Sequence, residues 1–279
     1  LLKGHSTANI RKRGFLKLRA KIIVNNWTFK GGYLAEHGLS ILIEKDEKRI
    51  LFDCGQTNAI VKNIEKMGVG FDFDAIVLSH AHYDHIGGLK FLIDKTDCNI
   101  WVHNGFFEKK FAKREGEYKF IGESFEGFEM ARFKIVNEDV YEVFDGIYLV
   151  NAISGKESEE FYILKDGKYQ KDTFIEEQSL VVKEDDKLIL IVGCSHNGIE
   201  NIIGKVEKYF SKSIFAVIGG FHLKNFQQDD FKELCEFFKN KRIYKLVPLH
   251  CSGTEALIHF GNKMANKLKV CGVGDVIEI

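Results

Sequence analysis

The stretch Ser79-His80-Ala81-His82-Tyr83-Asp84-His85-Ile86-Gly87-Gly88 puts three histidines and an aspartate within six positions. Histidine is scarce elsewhere, with 10 in 279 residues. Three imidazoles and a carboxylate so close together would compete for solvent unless something held them. A divalent cation does so, because neutral imidazole and carboxylate are its usual nitrogen and oxygen ligands. A metal site is the first expectation, and its other ligands must come from distant parts of the chain.

Four apolar runs end in such groups. "AIVL" leads into the cluster at 80–85, "LILIVG" into Cys194-Ser195-His196, "FAVIGG" into Phe221-His222, and "LVPL" into His250. A strand that is apolar throughout releases a polar ligand only where the chain leaves the sheet, and α/β sites form at such strand ends. If these ends lie side by side, six of the ten histidines converge on one edge of the fold. Lone histidines such as His103, His37, His5 and His259 read more simply as surface or supporting residues.

The elements that must position these groups are legible from periodicity. Strand-like runs fall at 21–26, 39–44, 48–53, 74–80, 99–103, 179–184, 187–193, 214–220 and 244–250. Short charged turns at 45–47 and 185–186 predict antiparallel hairpins. Helical spacing marks 57–68, with Thr57 as N-cap and Gly68 as the stop, and also 199–210, 229–240 and 253–268. Each half thus gives hairpins followed by alternating helices and strands, an α/β pattern. Segment 104–176 is charged, aromatic and weakly periodic, as expected of a cap or lid over a site. The chain divides into one α/β domain at 21–279 and an extension at 1–20, read as disordered or as left by cloning or processing.

Composition narrows the function. The chain is 45% hydrophobic and 29% charged, with forty basic residues against forty acidic. No net field draws in nucleic acid or an anionic membrane, so a small-molecule substrate is expected. No apolar run approaches the roughly 20 residues that span a bilayer. The six cysteines form no CxxC pair and, without an export signal, read as reduced thiols of a cytoplasmic protein. There is no Ser-His-Asp or phosphate-loop signature. Oligomeric state is not legible.

HxHxDH after an apolar strand resembles the signature of the metallo-β-lactamase superfamily, metal-dependent hydrolases built as a four-layer αββα sandwich. "ILFDCGQ" (50–56), "GCSHNG" (193–198), "IGGFHL" (218–223) and "PLHCSG" (248–253) are similar to its other motifs. With "EHGLSILIE", they more narrowly resemble a subgroup containing ribofuranosylaminobenzene and dihydropterin phosphate synthases. The resemblance implies that His80, His82 and His196 bind one metal and that Asp84, His85 and His250 bind a second. Zinc is the first expectation, with manganese, iron or magnesium as alternatives. It also implies that Asp53 supports a ligand imidazole and points His37 toward the pocket.

Two departures from the pattern stand out. The acid that commonly bridges the metals is missing, since the fourth motif reads Gly219-Gly220-Phe221-His222. His222 is left as a terminal ligand. Cys194 and Cys251 adjoin expected ligands and read as ordinary thiols. In a dinuclear hydrolase the cations would lower the pKa of a shared water, giving hydroxide near neutral pH, with Asp84 orienting it as the catalytic residue. A phosphorylated substrate would find Lys109, Lys110 and Arg114 in the insertion, beside Phe106, Phe107 and Phe111. An amphipathic helix with a solvated face accounts for the same residues. Two other readings stay open. One is a synthase-like transfer of a ribosyl-phosphate group to an aromatic amine or acid, and the other a metal-binding sensor or weakly active scaffold.

Overall fold

The computed structural model describes residues 18–151, 158 and 160–279. Most of the predicted extension, residues 1–17, lies outside the described residues, as do 152–157 and 159 within the predicted cap. The first strand, Arg19–Val24, already includes Arg19 and Ala20, which the sequence reading assigned to the extension.

Among the described residues the strands form three sheets. The first has seven strands in the order Val276–Glu278, Arg19–Val24, Ser40–Lys45, Lys48–Phe52, Ala75–Val77, Asn99–His103 and Phe133–Val136. Its first four run antiparallel, and from Lys48–Phe52 onward its pairs are parallel. The second has six, in the order Lys245–Leu249, Ile214–Gly220, Lys187–Val192, Gln178–Glu184, Ile147–Asn151 and Val140–Phe144. Here too a hairpin joins the antiparallel part to a parallel one.

The two sheets pack face to face. Ile41, Phe52 and Val77 of one meet Leu180, Ile191, Ile218 and Val247 of the other in a shared core. The outer face of the first sheet is covered by helix Ala59–Met67 and the short helices after the histidine cluster. That of the second is covered by helices Ile199–Phe210, Gln228–Asn240 and Gly253–Met264. The result is a four-layer αββα sandwich. Its parallel strands are buried on both faces, which explains their unbroken apolar runs.

The N-cap of helix Ala59–Met67 is Asn58, one residue past the expected Thr57, and its side chain makes no capping bond, although Thr57 Oγ1 accepts the Ala59 N–H at 3.1 Å. Gly68, at φ 65°, closes the last turn on the carbonyls of Ile64 and Glu65, the stop that the sequence predicts.

Segment 104–176 does not stay together. Phe133–Val136 joins the first sheet, while Val140–Phe144 and Ile147–Asn151 join the second. Among the described residues of the segment, only Lys109–Arg114, Glu117–Phe120, Phe161–Lys165 and Lys168–Lys171 build a separate four-stranded sheet. The helix considered for Lys109–Arg114 is therefore a strand. Period two explains it, because Lys110 and Ala112 face inward while their neighbours are more exposed.

Candidate metal centre

Register brings the site together. Phe52 pairs with Val77, Val192 with Gly219, and Gly220 with Leu249, so neighbouring parallel strands end level with one another. Asp53, Ser79–His85, Cys194–His196, His222 and His250 all follow those ends. Four of the residues adopt left-handed backbone: Asp53 (φ 59°), Ser195 (φ 60°), His222 (φ 51°) and His250 (φ 47°). Each such residue costs on the order of 1–3 kcal/mol, supplied by the packed sheets beneath.

The rings of His80, His82 and His196 form one group, with centroids 4.6, 4.9 and 5.0 Å apart. His85 and His250 form another, 4.9 Å apart, joined to the first by His80, 4.2 Å from His85. Asp84 Oδ2 lies 3.2 Å from His250 Nε2 and 3.1 Å from His37 Nε2. His222 stands beside His196 at 4.4 Å, among Cys194 and Cys251. The structure therefore gathers His37, His80, His82, Asp84, His85, His196, His222 and His250 in one place.

Hydrogen bonds decide which nitrogens face inward. Asp53 Oδ2 accepts from His85 Nδ1 at 2.7 Å and from Ser79 Oγ at 2.8 Å. With its proton committed to Asp53, Ser79 Oγ accepts from His80 Nδ1 at 2.9 Å. Asn26 Oδ1 accepts from His250 Nδ1 at 2.8 Å. The Nε2 lone pairs of His80, His85 and His250 are thereby turned into the site. Nε2 of His80, His82, His196 and His250, and Nδ1 of His222, are buried without a hydrogen-bond partner.

Buried orphaned acceptors are costly, and divalent cations would satisfy them. His250 Nε2 and Asp84 Oδ2, 3.2 Å apart, are close enough to share one cation. The donor set fits the metals that the motifs imply.

Electrostatics agree. Burial holds His80 and His196 well below the usual imidazole range and His82 down to about 3, so all three stay neutral, as ligands must be. Burial would also depress His85, but Asp53, with help from Asp84, outweighs it and raises His85 to about 9 in the metal-free chain. Burial would raise Asp84, but His250 and His37 hold its carboxyl well below the usual range.

Two supports, Glu177 and Phe174, had no sequence signal. Glu177, fully buried, accepts the backbone N–H groups of His196 and Asn197 at 2.7 and 2.9 Å. Phe174 stacks on the His196 ring at 3.9 Å, with planes 4° apart. Gly193 has no room for a side chain, because a Cβ there would lie 2.1 Å from Ser79 Oγ.

The three basic residues expected to grip phosphate part company. Lys110 is buried, 3.0 Å from Asp172 Oδ2 and 2.7 Å from Glu176 Oε1. Its charge is spent internally. Lys109 and Arg114 are exposed, and Arg114 lies close enough to act electrostatically on the Tyr83 hydroxyl.

Comparison with known proteins agrees with this geometry. The family profile of the metallo-beta-lactamase superfamily matches residues 34–163. The uncharacterized protein MJ0448 of Methanocaldococcus jannaschii is 35% identical over 266 residues, 93% of this chain and 99% of the relative. The protein belongs to the metallo-beta-lactamase superfamily. From the same organism, 7,8-dihydropterin-6-methyl-4-(beta-D-ribofuranosyl)-aminobenzene-5'-phosphate synthase is 27% identical over 274 residues, 90% of this chain and 92% of the relative. The crystal structure of Tm1679, a metal-dependent hydrolase of the beta-lactamase superfamily, superposes with a TM-score of 0.83 at 28% identity, over 94% of this chain and 99% of that one.

Proposed function

We propose that the protein is a dinuclear metal-dependent hydrolase acting on a small phosphorylated molecule. One observation carries the reading: the His80/His82/His196 and Asp84/His85/His250 groups adjoin, with buried ring nitrogens that no protein group satisfies. Two divalent cations bound there would supply Lewis acidity toward a phosphoryl oxygen and a water acidic enough to ionise near neutral pH.

The chain's own residues do the rest. Asp53 fixes His85 directly and His80 through Ser79, Asn26 fixes His250, and Glu177 fixes the loop that carries His196. Asp84, kept ionised, orients the attacking water. His37, whose side chain is 55% exposed, reaches Asp84 from the solvent side and is placed to meet substrate. The test is turnover of phosphomonoesters and phosphodiesters by the metal-loaded protein and by Asp84→Asn. The variant loses on the order of 10²–10⁴-fold in kcat. Equal turnover by both would remove Asp84 from the mechanism.

A synthase-like reading is favoured by the near full-length similarity to the M. jannaschii synthase. Release of pyrophosphate from phosphoribosyl pyrophosphate supplied with 4-hydroxy- or 4-aminobenzoate would select it over hydrolysis.

A further inference from the structure

Cys194 Sγ occupies the junction of the two histidine groups. It lies 3.1 Å from His85 Nε2. Its sulfur and the ligand atoms of His80 and His196 lie within 4.8 Å of one another, and the same holds for Cys194 with His85 and His250. No other described residue belongs to both of these groupings.

The nearby carboxylates are committed elsewhere. Asp53 is taken up by Ser79 and His85, and Glu177 by the backbone of His196 and Asn197. Asp84 groups with His37 and His250, away from His80 and His196. Gly220 has no room for a side chain, because a Cβ there would lie 2.4 Å from the Gly193 carbonyl oxygen and 2.5 Å from Cys251 Sγ. Cys251 stands behind, its Sγ 3.6 Å from the Cys194 carbonyl oxygen.

We propose that Cys194 Sγ is the shared ligand of the two cations, replacing a bridging carboxylate. The proposal rests on the dinuclear reading above. On binding, the S–H bond breaks, its proton passes to solvent, and two sulfur lone pairs each form a bond to a cation, with no change of oxidation state. A thiolate bridge favours zinc, cobalt(II) or iron(II) over magnesium, whose preference is for oxygen ligands.

The experiment is titration of the metal-free full chain with cobalt(II) alone, followed by near-ultraviolet absorption, with bound cobalt counted by elemental mass spectrometry. Thiolate-to-cobalt charge transfer should appear with the first equivalent and grow by a similar amount with the second. Cys194→Ser should lose the band and bind the second ion more weakly, while Cys251→Ser should keep the band. Because the wild-type titration is itself diagnostic, a misfolded variant does not blunt the test. Two ions bound without the band, a band that saturates at one equivalent, or a band lost only in Cys251→Ser would each overturn the assignment while leaving a dinuclear site. Failure to bind a second ion at all would overturn the dinuclear reading with it.

Discussion

Asp53 Oδ2 and His85 Nδ1 are 2.7 Å apart and both side chains are fully buried, although 32 residues separate them in the chain. Through Ser79 the same carboxylate also orients His80, so one residue aligns a ligand in each half of the site. Asp53→Asn keeps the shape but presents an amide N–H where His85 or Ser79 needs an acceptor. Metal affinity should fall by about 10–100-fold, as for other residues that orient metal-ligand histidines. Competition with a chromophoric chelator measures it, and unchanged affinity for both ions would contradict the role.

The buried histidines make the metal-free protein acid-sensitive. His80, His82 and His196 have folded pKa values depressed below the ordinary imidazole value near 6.5, His82 to about 3. Below pH ~6.5 the unfolded chain takes up protons that the folded chain refuses, so stability falls as pH drops from there toward 3. His85 has the opposite sign. Its folded value near 9 gives stability that is complete below pH ~6.5 and lost as pH rises through 9. Thermal melts of metal-free protein should therefore peak near neutrality. A melting temperature that stayed flat from pH 7 to pH 4 would contradict the burial of these rings.

Lys110 separates a structural role from a substrate role. It is buried against Asp172 and Glu176, so Lys110→Met leaves two carboxyl groups without their cation. The expected cost is about 3–5 kcal/mol in denaturant unfolding. A phosphate grip would instead raise KM with little change in stability.

Phe174 closes one side of His196 by parallel stacking and is itself almost fully buried. Phe174→Ala should cost about 3–5 kcal/mol of stability through the cavity it opens. It should also loosen the His80/His82/His196 ion in preference to the other. Equal retention of both ions after equilibrium dialysis would show that the stacking does not position His196.

What could be read from sequence follows from where ligands sit. HxHxDH is compact because its residues share one tight loop, and His196, His222 and His250 each lie within a few residues of the end of an apolar strand. Asn26, Glu177 and Phe174 carry no such mark, because long-range packing alone brings them to the site. The left-handed backbone at His222 and His250 is likewise imposed by the strands beneath. Lys110 misled because period two and period 3.6 are hard to separate in six residues, and its acidic partners lie more than sixty positions away. The closing strand Val276–Glu278 pairs with Arg19–Val24 across almost the whole chain, a contact that local pattern does not encode. Cys194 reads as an ordinary thiol in the sequence, and only register brings its sulfur beside both histidine groups.

The most direct test of a dinuclear site is metal content by elemental mass spectrometry, on protein purified without added metal and again after reconstitution with zinc, manganese, iron or magnesium. The two donor groups predict close to two equivalents per chain. One or none, persisting after every reconstitution, would contradict a dinuclear centre.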